Sequence, residues 1–254
     1  MFKYFKIFIL IVPAVWVTPS IASTRGDVKI IEATENIQYL SQKIAIDYFI
    51  FYSKINDGML KNKLNENMDK LEFSISEIAN RTKSPSTKAI LDYFTYRIEE
   101  MRDLQHQQIS QTNARTILEH SEGFLEGAKA IAQEHKYPFS KEEKMLMLSK
   151  KAQYLMERVS TYYMASKIGF KSNNNRQKIK KAIKDMDQTI KDIDLYNYPY
   201  ALENKVKKFK NIWKINRDFF NKEEKYSIPY LLLASTKYSQ KLLTNIEQFH
   251  KKNL

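Results

Sequence analysis

Residues 64–78 read LNENMDKLEFSISEI, with Leu64, Met68, Leu71, Ile75 and Ile78 spaced four, three, four and three apart. An α-helix completes a turn in about 3.6 residues, so this spacing places all five on one stripe. Adding 115 to each position gives Ile179, Ile183, Met186, Ile190 and Ile193, all apolar. The same shift carries Gln38-Tyr39-Leu40 onto an identical Gln153-Tyr154-Leu155. It also takes Lys43 to Arg158, Ile44 to Val159, Tyr48 to Tyr163, Leu91 to Val206 and Phe94 to Phe209. In the last helix of each copy the match shifts to 114, pairing Leu118, Ser121, Phe124 and Ala128 with Leu232, Ser235, Tyr238 and Leu242. An identical tripeptide and three helices in one ungapped register define a tandem duplication.

Each copy is predicted to hold four helices. In the first they run over 28–57, 59–82, 86–109 and 112–135. Asp57-Gly58 separates the first two, and Ser84-Pro85-Ser86 opens the third with proline at a tolerated early position. Tyr137-Pro138-Phe139-Ser140 separates the copies, and Ser140 with Glu143 forms a capping box. The second copy runs over 141–170, 175–195, 199–222 and 227–250. Short connections favour antiparallel neighbours. The expected fold class is all-α, as two tandem up-down four-helix bundles after a signal peptide. The divisions are 1–22, 23–138 and 139–254, and each repeat is expected to keep its own core.

Composition narrows the function. Five Gly and six Pro in 254 residues argue against sandwiches, barrels and Gly-rich phosphate loops. The absence of cysteine excludes disulfides, thiolate catalysis and Cys-ligated metals. No nucleophile elbow, P-loop, dinucleotide fingerprint or HExxH motif is present. Glu247 and His250 have the Glu-x-x-His spacing of di-iron bundles once, and two copies are needed. We therefore expect no enzyme, cofactor or metal site.

The N-terminus combines Lys3 and Lys6, an apolar run of eleven from Ile7 to Val17, and small residues through Ala22. This is the layout of a secretory signal, and the run is short of the about 20 residues that span a bilayer. The expected location is outside the cytoplasm, in a bacterial periplasm. With Leu254 closing the eighth helix and no later apolar span, the chain is not expected to signal across a membrane alone.

The segment Thr34-Glu35-Asn36-Ile37-Gln38-Tyr39-Leu40-Ser41-Gln42-Lys43-Ile44-Ala45 resembles the first-helix motif of the PilJ-like sensor domain of type IV pilus chemotaxis-like receptors, related to NarX-type nitrate/nitrite sensors. The second copy occupies Ser149 to Ser160, and the resemblance extends over both four-helix repeats. It implies a ligand-binding helical sensor domain, with an arginine of the family motif implicated in anion binding. That position holds Gln38 and Gln153 here. The family's glycine is Glu35 and Lys150, and an earlier arginine is Asn36 and Lys151. Glutamine offers a neutral amide where arginine grips an oxyanion with two parallel hydrogen bonds.

The candidate ligand-binding residues are Gln38, Lys43, Lys151, Gln153 and Arg158. Either the two glutamines line a polar pocket at a bundle or dimer interface, or Gln-Tyr-Leu is a relic whose Tyr and Leu pack the core. Lys43 and Arg158 fit surface ion pairs equally well. Gly123 and Gly127 permit a close helix crossing, and the Tyr162-Tyr163 and Tyr196–Tyr200 clusters suit core and bundle-end packing. Residues 23–140 carry 15 Lys/Arg and 17 Asp/Glu, net −2, whereas residues 141–254 carry 25 and 12, net +13. Two readings follow. One is a sensor-like protein binding a small anion or polar metabolite between helices and presenting it to a membrane-bound signalling protein. The other is a structural protein docking through its basic second repeat without a small ligand. A homodimer fits either, and no nucleic-acid module is present.

Overall fold

A computed structural model describes residues 25–53, 58–222 and 228–254. The leader expected at 1–22 and the break at Asp57 lie outside the described residues. Eight helices follow in order: α1 (Arg25–Ser53), α2 (Gly58–Ala79), α3 (Pro85–His106), α4 (Gln111–Glu134), α5 (Lys141–Lys167), α6 (Asn173–Asp194), α7 (Tyr200–Asn221) and α8 (Pro229–Lys252). Helices α1–α4 form one up-down bundle and α5–α8 a second. Among the described residues there is no strand, and no helix is long and apolar enough to cross a membrane.

Local chemistry sets the boundaries. Ser84, Ser110, Ser140 and Ser172 cap α3 to α6, each accepting from a backbone N–H three residues on. At Ser140 the box closes in both directions: the Glu143 carboxylate accepts from the Ser140 N–H at 2.7 Å. Residues 136–140, around Pro138, are non-helical, so α4 and α5 are separate helices. Gly169 ends α5 with φ +104°, a backbone conformation that side chains disfavour.

The duplication is exact at the level of burial in two helices. The buried residues of α3 are Thr87, Leu91, Phe94, Ile98, Met101 and Gln105; those of α7 are Leu202, Val206, Phe209, Trp213, Asn216 and Phe220, each 115 later. In α2 the buried Leu64, Asn67, Met68, Leu71, Ser74, Ile75 and Ile78 map by 115 onto the complete buried set of α6. The fourth helices differ from the sequence register. Leu118, Ser121, Phe124, Leu125 and Ala128 correspond in burial to Thr236, Ser239, Leu242, Leu243 and Ile246, a shift of 118. Registers 114 and 118 differ by four residues, about one turn, so the apolar stripe fits both. Burial separates them, because Phe124 is fully buried and Tyr238 is 48% exposed. The longer connection between α7 and α8 supplies the extra residues.

The two bundles lie side by side, with α1 and α5 in contact along their length. The two helices are parallel. Lys150 Nζ donates to Asn36 Oδ1 at 2.9 Å, and further along Thr161 Oγ1 donates to the Gln42 carbonyl at 3.0 Å. Positions near i and i+115 therefore face each other, and one chain reproduces a parallel pair of equivalent bundles. Helices α1 and α5 have neighbours on every side. Residues 44–49 are buried without interruption, as are 152–157 and 159–165. One large hydrophobic cluster runs from Ile30 and Ile78 to Phe209 and Ile246, and a small one joins Ile31 to Tyr137, Leu146 and Met147, so the repeats share a core across their boundary.

Gly127 is required by the α3–α4 crossing. A methyl there would stand 2.5 Å from Phe94 Cε1 and 2.8 Å from Ile90 Cγ2. Tyr162 and Tyr163 are buried, and Tyr196 and Tyr198 pack on Phe249 and His250 at the bundle end.

Candidate functional site

Polar side chains interrupt the seam between the bundles, and the five sequence-nominated residues fall into separate networks along it. Gln38 is buried close to the Glu35 carboxyl, one turn earlier on α1. Burial pushes Glu35 up to about 7, against the pull of Lys150 and Lys151. Its Oε2 has no hydrogen-bond partner. Lys151 is itself exposed. Gln153 turns the other way, donating to Glu247 at 3.0 Å and Thr244 at 3.4 Å on α8. Lys150 completes that network, pairing with Glu247 at 2.8 Å. The two glutamines therefore lie beside different carboxylates and do not line one pocket.

Lys43 and Arg158 are equivalent positions, and each is neutralised by a carboxylate. Lys43 donates to Asp47 at 2.8 Å; Asp47 also accepts from Lys63 at 3.0 Å and Asn67 at 2.8 Å. Burial opposes the Lys43 charge, but Glu157 and Asp47 together hold its ammonium above the ordinary range. Arg158 grips Glu122 on α4 with both terminal nitrogens, at 2.6 and 3.0 Å. Lys178 adds a third bond to Glu122 at 2.8 Å and donates to Tyr162 Oη at 2.9 Å. Although burial disfavours its charge, these cations hold Glu122 down to about 2. Lys63 and Lys178 are themselves 115 apart, as are Asp47 and Tyr162, which accept from them in turn. The basic pair is thus duplicated. The carboxylate comes from α1 itself in the first repeat and from the neighbouring bundle in the second.

Beside the Glu122 cluster a groove of ≈ 570 Å³ opens between α3–α4 of the first repeat and the α5–α6 turn of the second. Tyr93, Tyr162 and Phe170 form its aromatic walls, and Glu122 and Lys178 contribute to its lining. Glu119 and Glu126 line it from α4, with Arg115 and Lys171 as cations of the same lining. Arg115 stacks on the Phe170 ring at 5.1 Å. None of Glu119, Glu126, Arg115 and Lys171 has an ion-pair partner among the described residues. Sequence reading missed this groove because its lining comes from four helices.

A second relationship invisible to spacing joins histidines to carboxylates. His135, capping α4, lies 3.2 Å from Asp27 in the first turn of α1; His250 on α8 lies 2.7 Å from Glu142 in the first turn of α5. Each repeat thereby ties the end of its fourth helix to the start of its first. Glu247 and His250, the one Glu-x-x-His pair, point into different networks. Among the described residues no group of three or more His, Asp or Glu is placed to hold a metal ion.

No family model, curated protein or solved structure matches this chain.

Proposed function

We propose that the chain is a non-enzymatic, sensor-like binding protein that holds a small zwitterionic ligand in the inter-bundle groove and presents its bound state to a membrane-bound partner in the periplasm. The observation that carries this reading is the groove's charge. Two carboxylates, Glu119 and Glu126, and two cations, Arg115 and Lys171, line it with no ion-pair partner among the described residues. A molecule bearing both an ammonium and a carboxylate satisfies both signs, and the aromatic walls accept its apolar part. A free anion at Arg158 or Lys43 would instead have to displace Glu122 or Asp47. An occupant of the groove bridges α4 of one repeat and the α5–α6 turn of the other. It biases their packing by its difference in affinity for two arrangements.

The test is thermal unfolding of the chain at fixed ionic strength against amino acids, betaines, nitrate and nitrite. A ligand at 100 times its dissociation constant adds about 2.7 kcal/mol, on the order of 5–10 °C for this length. The reading expects a shift from one zwitterion, lost in Glu119→Gln or Lys171→Gln. A flat panel contradicts it. A nitrate or nitrite shift abolished by Gln153→Ala would move the site to the glutamine position.

A further inference from the structure

We infer that the outward face of α7 and α8 is a docking surface for an anionic phospholipid bilayer. The two helices are antiparallel, their register fixed by Ser235 on Asn216 at 2.9 Å and Lys205 on Asn245 at 2.5 Å. That register sets Ile215 at a height between Leu231 and Tyr238. These three are 59%, 60% and 48% exposed, an apolar set that the fold leaves uncovered. On α8, Leu231, Ala234, Tyr238 and Lys241 recur at the three- and four-residue spacing of a single helical face. On α7, Lys208 and Ile215 stand seven residues apart, two turns along one face, with Lys214 next to Ile215 in the chain. Lys208, Lys214, Lys237 and Lys241 have no ion-pair partner among the described residues, and Asp218 is the exposed acid at the end of the stripe.

Charge selects the occupant. The second repeat carries the chain's whole excess, and 22 of its 25 basic residues are lysine. Lysine is a hydrated point charge suited to a diffuse anionic surface, whereas specific carboxylate recognition favours arginine's planar fork. Exposed leucine, isoleucine and tyrosine among lysines match a bilayer's headgroup region, where aromatic rings settle and basic side chains meet anionic lipid. An acidic protein would use the lysines and leave Leu231 and Ile215 without a role.

The experiment is co-sedimentation of the full chain with vesicles of phosphatidylglycerol and phosphatidylcholine in equal parts, against phosphatidylcholine alone. The apolar run at 7–17 is common to every variant and cancels in the comparison. We expect binding to the anionic vesicles. The double variants Leu231→Asp/Tyr238→Asp and Lys237→Glu/Lys241→Glu should each lower partitioning about tenfold or more. Lys180→Glu/Lys184→Glu on α6 should lower it far less. All the altered side chains are exposed, and unchanged thermal unfolding verifies the fold. Equal loss in the α6 variant with none in Leu231→Asp/Tyr238→Asp would overturn the assignment, as would absent vesicle binding. Capture by polyglutamate without vesicle binding would place an acidic protein on this face instead.

Discussion

Arg158 on α5 holds Glu122 on α4 through two hydrogen bonds, while its counterpart Lys43 holds Asp47 on its own helix. One ancestral cationic position has thus become an intrahelical pair in one repeat and a bond between bundles in the other. Arginine reaches farther than lysine and offers a planar fork, which suits the bridging role.

Removing Glu122 leaves Arg158 and Lys178, both of the second repeat, without their carboxylate at a partly buried seam. Breaking a fully buried pair costs about 3–5 kcal/mol, and partial exposure here reduces that to about 2–3. Glu122→Ala should lower the denaturation midpoint accordingly, with an unchanged denaturant slope. A loss below about 0.5 kcal/mol would show that the pair is a screened surface contact.

The two glycines of α4 should respond oppositely to alanine. Gly127→Ala drives a methyl into Phe94 and Ile90, and overpacking of this kind costs about 1–3 kcal/mol. At Gly123 the nearest atom is the Tyr93 hydroxyl at 3.2 Å, the far end of a half-exposed side chain that can yield. Gly123→Ala should be neutral or stabilising by up to about 1 kcal/mol through helix propensity. Thermal unfolding of the two variants side by side measures the contrast.

Glu35 should give stability an unusual pH slope. Burial raises its carboxyl from 4.5 to about 7, so between those values the folded chain binds a proton that the unfolded chain has released. Stability therefore falls as pH rises from 4.5 to 7, by on the order of 1–3 kcal/mol. Glu35→Gln should remove that slope. Glu122 and Glu32 act in the opposite sense: held down to about 2, they contribute stability that is complete above 4.5 and lost as pH falls toward 2. Denaturant midpoints across pH 3–8 in the parent and the variant separate the two effects.

Much of this was legible in the sequence. The duplication, the all-α class, the Ser140 capping box and the break at Pro138 all follow from local chemistry and the 115-residue register. The packing of the repeats was not legible. Spacing shows which stripe of a helix is apolar, but Ile44 to Phe49 are buried around the full circumference of α1. Only the neighbouring α5 explains that. The fate of Lys43 and Arg158 was also hidden, because their carboxylates lie at unrelated sequence distances.

The shared core carries a further expectation. A chain ending at Ser140 exposes the side of α1 that α5 covers, including Asn36 and the Gln42 carbonyl. Residues 23–140 expressed alone should aggregate or pair with a second copy, and mixing them with residues 139–254 should restore a folded heterodimer. Sedimentation velocity would detect each species. A stable monomeric first repeat would contradict the shared core.

The central claim is that two halves of one chain pack as parallel, equivalent bundles, since the groove and the Arg158–Glu122 bond both depend on that arrangement. The absence of cysteine makes the direct test clean. Asn36→Cys combined with Lys151→Cys places thiols at equivalent positions of α1 and α5; Asn36→Cys combined with Lys167→Cys places the second thiol at the far end of α5. Treated with a short bismaleimide at low protein concentration, the first variant should give an internal crosslink and the second should not. Efficient crosslinking of the 36–167 pair, with none for 36–151, would contradict the parallel register of α1 and α5.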